Sequence, residues 1–352
     1  MAKYIEAYFK YLFDRGGSDL HISSGAKPMI RLHGDMIAIS EQPLTAPQVI
    51  TMMKEVISTE DILKLKTLKN IDFALQWTEP GPMEGKRYRG NAFIQKNGPN
   101  MVFRAITTKI PYLKDLGLPQ DLERFTQFHQ GLILVTGATG CGKSSTVAAL
   151  INIINESRDA HIITIEDPIE FVHPNKRCLI NQREVGKDVE SFALALKGAL
   201  REDPDVILVG ELRDLETMSL AVTAAETGHV VFGTLHTSSA AKTVDRMIDS
   251  FPVEQQAQIR TMLAESIKGI IAQQLVPRAD GKGRVAAVEV LVGTPPVANM
   301  IREGKAFQLG TVMQVGRLSG MVLMDDYLKE LHSKGLITEE DMTSRLVSKA
   351  KN

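Results

Sequence analysis

The sequence is poor in cysteine, because Cys141 and Cys178 are the only two among its 352 residues. This excludes a disulfide framework and a zinc site of the CxxC type, and it fits a reducing compartment. The formal net charge of −1 gives no broad cationic field of the kind that binds nucleic acid. No stretch of about 18 apolar residues runs without a charge, and the chain starts with no apolar signal segment. We therefore expect a soluble, cytoplasmic protein that binds no nucleic acid.

The length of the chain gives room for two domains. Apolar residues at helical spacing before Gly16, a hairpin signal at Gly34-Asp35 and three strand-like runs predict a small α+β domain at the start. Pro111 and Pro119 enclose a segment without sustained periodicity, which is typical of a linker. The predicted organisation is an N-terminal domain (1–107), a linker (108–120), an α/β core (121–292) and a helical C-terminal region (293–352).

The core segment alternates short, almost continuous apolar runs with helical segments. Such runs are typical of strands that are covered on both faces, as in a parallel sheet between two layers of helices. They predict an α/β fold. The five predicted strands are 132–135, 162–165, 206–209, 230–232 and 285–292.

Residues 137–144 (GATGCGKS) fill every required position of the phosphate-loop pattern GxxxxGK[ST], with a strand before them and a helix after them. The glycines let backbone N–H groups turn toward phosphate oxygens, and the helix N-terminus adds positive charge. Lys143 would contact the β- and γ-phosphates of ATP, and the Ser144 hydroxyl would ligate Mg²⁺. The predicted nucleotide-binding residues are Gly137, Ala138, Thr139, Gly140, Cys141, Gly142, Lys143, Ser144 and Ser145.

Three carboxylates follow the second predicted strand, at the sheet edge where such a fold binds its ligand. Glu166, Asp167 and Glu170 would repel one another without a cation such as Mg²⁺ between them. A carboxylate at this position could orient or deprotonate an attacking water. The alternative is a solvated acidic turn.

The third predicted strand departs from the usual Walker B pattern, in which an Asp for Mg²⁺ ends the strand. Here Gly210 takes that place and Glu211 follows it. Because successive strand residues point to opposite faces, Glu211 would reach Mg²⁺ either directly or only through a water. The fourth strand is flanked by His229 and His236, which could sense a γ-phosphate through hydrogen bonds. Two histidines without a cysteine make a poor metal site.

Four segments together resemble the type II/IV secretion ATPase superfamily. They are the phosphate loop, an Asp box at 164–170 (TIEDPIE), an atypical Walker B at 203–213 (DPDVILVGELR), and a His box that runs from 225 to 236. Within this superfamily the chain is similar to the pilus-retraction ATPases (the PilT/PilU group) over nearly its whole length. Segments 18–22 (SDLHI), 181–185 (NQREV) and 199–204 (ALREDP) carry this closer resemblance.

The resemblance implies a homohexameric ring whose subunits combine a PAS-like N-terminal domain with a RecA-like ATPase core. It implies Glu166 as the catalytic base, Glu211 as the carboxylate associated with Mg²⁺, and His229 and His236 as His-box residues. By spacing alone Arg89 and Arg104 would be surface charges. They match the N-domain arginines that, in this family, close onto the γ-phosphate.

The resemblance further implies ATP hydrolysis that powers type IV pilus retraction and twitching motility. The protein would dock on a pilus platform protein at the cytoplasmic face of the inner membrane, and a paralogous retraction ATPase is an open further partner. Assembly-type relatives carry an extra N-terminal domain and a four-cysteine zinc element, and the lack of both favours retraction.

Several alternatives stay open at this stage. Retraction motors carry an Ala-Ile-Arg-Asn-Leu motif where residues 296–300 read PVANM, so that Ala298 replaces the arginine. Residues 271–277 and 280–283 also lean toward an accessory paralogue. A nucleic-acid translocase and a non-hydrolysing assembly scaffold are less favoured, the latter because Lys143, Glu166 and Glu211 are all present. The base could be Glu166, Glu170 or Glu211.

Overall fold

The structure is a computed structural model that describes residues 4–32, 34–78, 81, 83–106 and 110–346. The chain divides into two compact units, Met1–Lys109 and Ile110–Asn352. Each unit has its own hydrophobic core. Within the part of the chain that is described, no helix has the length and apolar character needed to span a membrane.

The first unit is an α+β fold built on one antiparallel sheet. Its elements are α1 (Glu6–Arg15), β1 (Asp19–Ser23), β2 (Met29–Leu32), β3 (Asp35–Ala38), α2 (Ala46–Val56), α3 (Thr59–Leu68), β4 (Asn70–Gln76), β5 (Arg87–Gln95) and β6 (Gly98–Ile106). The strand order is β3-β2-β1-β6-β5-β4, and all neighbours run antiparallel. The hairpin predicted around Gly34-Asp35 is confirmed as the β2–β3 pair.

An aromatic cluster fixes α1 against this sheet. The Phe9 ring lies 5.5 Å from Trp77, 4.3 Å from Tyr88 and 4.9 Å from Phe103, measured between ring centroids. Phe9 is fully buried, and such aromatic pairs add to the stabilisation from the buried area alone. The helical spacing of the apolar residues in α1 therefore reflects real packing.

Helix α3 is not predicted by the apolar periodicity of the sequence. Leu65 is the one fully buried side chain of this helix, whereas Leu63 and Leu68 are exposed, so its apolar pattern is weak. Its start is set by Ser58, whose side chain accepts a hydrogen bond from the backbone N–H of Asp61 at 3.0 Å.

The second unit is an α/β fold around a seven-stranded sheet. Its elements are β7 (Gly131–Thr136), α4 (Lys143–Ser157), β8 (His161–Glu166), β9 (Leu179–Glu184), α5 (Phe192–Ala199), β10 (Val206–Val209), α6 (Leu215–Glu226), β11 (Val230–Leu235), α7 (Ala240–Asp249), α8 (Val253–Ser266), β12 (Ile267–Pro277), β13 (Arg284–Val292), α9 (Pro295–Arg302), α10 (Leu309–Val315), α11 (Met324–Ser333) and α12 (Glu339–Arg345). The strand order is β13-β12-β7-β11-β10-β8-β9.

This sheet corrects the prediction of an all-parallel arrangement. Strands β12, β7, β11, β10, β8 and β9 are parallel, but β13 pairs antiparallel with β12, because a short turn joins the two. Strands β9 and β12 were not predicted. The polar residues of β9, and Gln273 and Gln274 in β12, interrupt the apolar runs by which a strand is recognised in a sequence.

The segment predicted as a linker contributes to the second core. Leu113 and Leu118 are 1% and 5% exposed and belong to the same buried cluster as the central strands. Residues 108 and 109 lie outside the described part. After β13 the described residues form α9 to α12, and between α10 and α11 Val322 forms an isolated antiparallel bridge with Val290.

A buried carboxylate joins two helices of the second unit. Glu289 on β13 accepts hydrogen bonds from the backbone N–H groups of Ala240 (2.8 Å) and Met324 (3.4 Å), the first residues of α7 and α11. Burial raises the pKa of Glu289, and the two amide hydrogen bonds oppose that shift. The carboxylate thereby satisfies donors at two helix N-termini.

We expect Glu289→Ala to lower the free energy of unfolding by about 2–4 kcal/mol, because two buried N–H groups lose their acceptor and a cavity forms. Chemical denaturation measures this loss. Glu289→Gln keeps one acceptor oxygen and is the matched control, with a smaller expected loss. Because the folded pKa is raised, the carboxyl stabilises the wild type most at low pH, and its advantage over Glu289→Gln should shrink as the pH rises. An advantage that grows with pH would contradict this assignment.

Candidate nucleotide-binding site

The phosphate loop leaves β7 and enters α4, as predicted. Gly137, Gly140 and Gly142 have φ angles of 143°, 76° and 91°, which residues with side chains rarely adopt. Gly142 is the N-cap of α4 and has no side chain that could cap the helix. The first N–H groups of α4 are therefore suited to an anion such as a phosphate. Within the loop, residues 138–140 are exposed and Cys141 is buried.

Lys143 lies inside this loop. Its Nζ donates hydrogen bonds to the carbonyl oxygens of Gly137 (2.8 Å) and Ala138 (3.2 Å), and the side chain is buried. The Nζ atom also lies 3.4 Å from Nδ1 of His236. Ser144 and Ser145 follow in the first turn of α4, where Ser144 is exposed. The loop thus surrounds one cation with its own carbonyl groups.

Glu166 ends β8 at the same edge of the sheet. Its Oε1 accepts hydrogen bonds from Thr164 Oγ1 at 2.7 Å and from Gln182 Nε2 at 3.1 Å. Burial raises the pKa of Glu166, although these two hydrogen bonds act in the opposite direction. Raised basicity is what a general base needs near neutral pH. Glu170, four residues on, is exposed.

Glu211 follows β10 and is held by two partners. Arg213 Nε lies 2.6 Å from Glu211 Oε1, and His236 Nε2 lies 3.1 Å from the same oxygen. Partial burial would raise the pKa of Glu211, but the guanidinium of Arg213 and the imidazole of His236 lower it overall. This carboxylate is therefore kept ionised.

Gly210 explains the departure from the usual Walker B pattern. Its N–H donates to the carbonyl of Ile165 at 2.7 Å, and a Cβ at this position would lie 3.1 Å from that oxygen and 3.2 Å from Cα of Glu166. Strands β8 and β10 approach so closely here that a side chain at position 210 would be crowded. The carboxylate is instead supplied by the next residue, Glu211.

His236 connects the loop to the Walker B carboxylate. A lysine ammonium can only donate, so Nδ1 of His236 accepts from Lys143. Nε2 then carries the proton and donates to Glu211. The structure thereby brings Lys143, His236, Glu211 and Arg213 into one hydrogen-bonded chain at the ends of β7, β10 and β11.

His229 does not join this group. It lies directly before β11, its Nδ1 donates to the carbonyl of Ala224 at 3.0 Å, and its own carbonyl accepts from Gly131 at the start of β7. His236 lies directly after β11, and a strand of this length separates the two histidines by about 20 Å. In a single chain His236 contacts the lysine of the phosphate loop and His229 does not, so a role for His229 at the γ-phosphate stays a prediction.

The predicted arginines belong to the first unit. Arg89 on β5 and Arg104 on β6 are directly opposite each other and exposed. Arg104 Nε donates to Oδ1 of the buried Asp19 at 2.9 Å. Burial by itself would raise the pKa of Asp19, but hydrogen bonds from Ser18 and Arg104 lower it overall. Asp19 thus orients Arg104 and offsets part of the repulsion within the arginine pair.

Two residues of this site, Gln182 and Arg213, are not predicted as site residues from the sequence. Gln182 bonds Glu166 through Nε2, while its Oε1 accepts from the backbone N–H of His173 at 2.8 Å, so the amide is held at both ends. Both residues lie in segments that carried the family resemblance. Their types alone could not have shown which carboxylate each one contacts.

A metal site would have to use few protein ligands. Among the described residues there is no group of three or more His, Cys, Asp or Glu side chains that could hold a metal ion. Mg²⁺ in nucleotide sites needs no such group, because one or two protein oxygens and the phosphates supply its ligands. The Ser144 hydroxyl at the start of α4 and the ionised Glu211 fit that donor set.

The parallel sheet, the phosphate loop and the carboxylates at the ends of β8 and β10 define a P-loop protein with a RecA-like core. The family of type II/IV secretion system proteins matches residues 1–333. The chain belongs to this family and is an ATPase.

Named relatives cover almost the whole chain. The type IV pilus retraction ATPase PilT of Pseudomonas aeruginosa is 48% identical over 327 residues, which cover 93% of this chain and 93% of PilT. The type IV pilus ATPase PilU of the same organism is 40% identical over 336 residues, which cover 96% of this chain and 87% of PilU. The crystal structure of the pilus retraction motor PilT with bound ADP is similar with a TM-score of 0.92 at 42% identity, covering 100% of this chain and 99% of that one.

We expect Gly137→Ala to weaken nucleotide binding. A Cβ at Gly137 would lie 2.2 Å from the carbonyl oxygen of Gln273 and 2.6 Å from Sγ of Cys141, so the loop must shift. A displacement of this size should weaken ADP binding by about 100-fold, as measured by isothermal titration calorimetry. Gly140→Ala is the matched control, since its φ is also positive but its Cβ would meet nothing within 4 Å. Equal losses in both variants would show that backbone strain, not the clash, decides binding.

Proposed function

We propose that this protein is a Mg²⁺-dependent ATPase that drives type IV pilus retraction, and hence twitching motility, as a homohexameric motor. The observation that carries the proposal is the chain Lys143–His236–Glu211 at the ends of three parallel strands. The similarity to PilT and to its ADP-bound structure supports the retraction role.

The loop and Lys143 would bind the phosphates. The anion would be met by the N–H groups of residues 137–144 and by the Lys143 ammonium, which exchanges its loop carbonyl partners for phosphate oxygens. Ser144 and Glu211 would hold Mg²⁺, Glu211 either directly or through a water. Bound Mg²⁺ supplies positive charge that offsets the charge of the β- and γ-phosphates.

Glu166 is our proposed general base. Burial raises its pKa, which favours proton abstraction from water, and Thr164 and Gln182 hold one of its carboxylate oxygens in place. Glu211 is less suited, because Arg213 and His236 lower its pKa. Glu170 is exposed and lacks this support.

Arg89 and Arg104 would stabilise the charge that develops on the γ-phosphate, and His236 would respond to the presence of that phosphate. An inserted arginine is worth about 10³–10⁵ in rate for comparable NTPases. A phosphate would compete with Asp19 for Arg104, because Asp19 already accepts a hydrogen bond from Nε of Arg104. His229 remains a proposed His-box residue without a contact to this loop in its own chain.

The proposed partners are five further copies of this chain and an inner-membrane pilus platform protein, contacted from the cytoplasmic face. A paralogous retraction ATPase is a further candidate, whereas nucleic acid is not. The second candidate function is that of an accessory retraction ATPase, because Ala298 replaces the arginine of the retraction-motor motif. The higher identity to PilT than to PilU favours the main motor.

Glu166→Gln should lower kcat by about 10²–10⁴ while ADP affinity stays unchanged, since the base is lost but the loop is intact. Phosphate release and calorimetry measure the two quantities. Glu170→Gln is the matched control and should turn over like the wild type. A loss of kcat in Glu170→Gln with normal turnover in Glu166→Gln would instead identify Glu170 as the base.

The pH profile gives a second check on the same carboxylate. Because burial raises the pKa of Glu166, the wild type should lose turnover with falling pH at a value above the ordinary 4.5 of a glutamate. ADP binding should not follow this profile. A plateau in kcat that extends down to the ordinary value would contradict Glu166 as the base.

Loss of the gene should leave the source cells with excess surface pili and no twitching motility, if the protein retracts pili. The wild-type gene should restore both, and Lys143→Ala should restore neither. Bald cells would instead indicate an assembly motor, and unchanged pili with reduced motility would favour the accessory role. Pili are counted by electron microscopy.

A further inference from the structure

A buried glutamine contacts the phosphate loop from the strand next to β7. Gln273 lies on β12 and is 4% exposed. Its Nε2 donates to the carbonyl oxygen of Cys141 at 2.6 Å, and its Oε1 accepts from Thr146 Oγ1 at 2.8 Å. Gln273 therefore joins the loop to the first turns of α4.

The orientation of this amide is determined by its partners. The Cys141 carbonyl can only accept, so the NH₂ group of Gln273 must face it. The Thr146 hydroxyl can then donate to the remaining oxygen. Oγ1 of Thr146 also lies 3.2 Å from the carbonyl oxygen of Gly142, so the hydroxyl has a second acceptor in the first turn of α4.

The hydrogen bond fixes one peptide plane of the loop. In a trans peptide the C=O and the following N–H point in opposite directions. With the Cys141 carbonyl turned toward Gln273, the N–H of Gly142 points in the opposite direction, away from this glutamine. The backbone of Gln273 also packs against the loop. Its carbonyl oxygen occupies the space that a Cβ of Gly137 would need.

Burying the polar amide of Gln273 costs free energy unless its hydrogen bonds are satisfied. On β13 the residue opposite Gln273 is the buried Val288, and an unpaired amide beside it would be strongly unfavourable. A methionine would fill the same space without that cost. The presence of an amide here is therefore explained by its hydrogen bonds to the phosphate loop and to Thr146.

We infer that Gln273 is a positioning residue for nucleotide binding. It keeps the phosphate loop in the conformation that presents the Gly142 N–H, and it acts through the loop without touching the nucleotide. Without it, the loop would populate its binding conformation for only a fraction of the time, and apparent affinity falls by that fraction. The inference rests on nucleotide binding and does not depend on the pilus role.

The test is ADP binding in the presence of magnesium, measured by calorimetry on the full chain. Gln273→Met keeps the volume of the side chain and removes both hydrogen bonds, and it should weaken ADP binding about tenfold. Thr146→Val should act in the same direction but less, and the double variant should lose no more than Gln273→Met alone. Gln274→Met, on the opposite face of β12, is the matched control and should bind like the wild type.

Steady-state kinetics and melting curves separate positioning from packing. We expect Gln273→Met to raise KM for ATP with a smaller effect on kcat, and to reduce the rise in Tm that ADP produces. Wild-type ADP affinity combined with a lower Tm would overturn the inference, and so would a fall in kcat at unchanged KM and Kd. If Gln273→Met does not fold, Gln273→Asn, which is too short to reach both partners, and Thr146→Val decide the question in the same assays.

Discussion

The ammonium group of Lys143 is the charge around which this edge of the sheet is organised. A buried cation is tolerated only when acceptors surround it, and the loop supplies two of its own carbonyl groups for that purpose. The strands on both sides of β7 complete the arrangement. His236 reaches Lys143 from the end of β11, and Gln273 holds the loop from β12. The shape of the loop is thus a property of three adjacent strands.

Two carboxylates at this edge are given opposite properties by their neighbours. Glu166 has neutral hydrogen-bond donors around it, so the cost of burial dominates and its pKa rises. Glu211 faces a guanidinium and an imidazole, so the balance reverses. Two carboxylates whose pKa values differ can serve different purposes, one as a general base and the other as a ligand for a cation. The distinction depends on Arg213 and His236, which contact Glu211 and have no such contact with Glu166.

The sequence predicted what is local and missed what depends on pairing. The strand and helix that flank the phosphate loop follow from apolar runs next to a specific pattern, and the structure has both. Strand β12 was missed because Gln273 and Gln274 break its apolar run, and the first of these holds the loop. Local rules often fail at positions that serve a site. His229 was grouped with His236 through the resemblance to the His box, and in a single chain β11 separates the two.

The position of His236 is constrained from two directions. Its ring lies between Lys143 and Glu211, and four residues later Ala240 begins α7 with an N–H that donates to Glu289. The same carboxylate accepts from the N–H of Met324 at the start of α11. Hydrogen bonds therefore connect the C-terminal helices to the segment that carries His236.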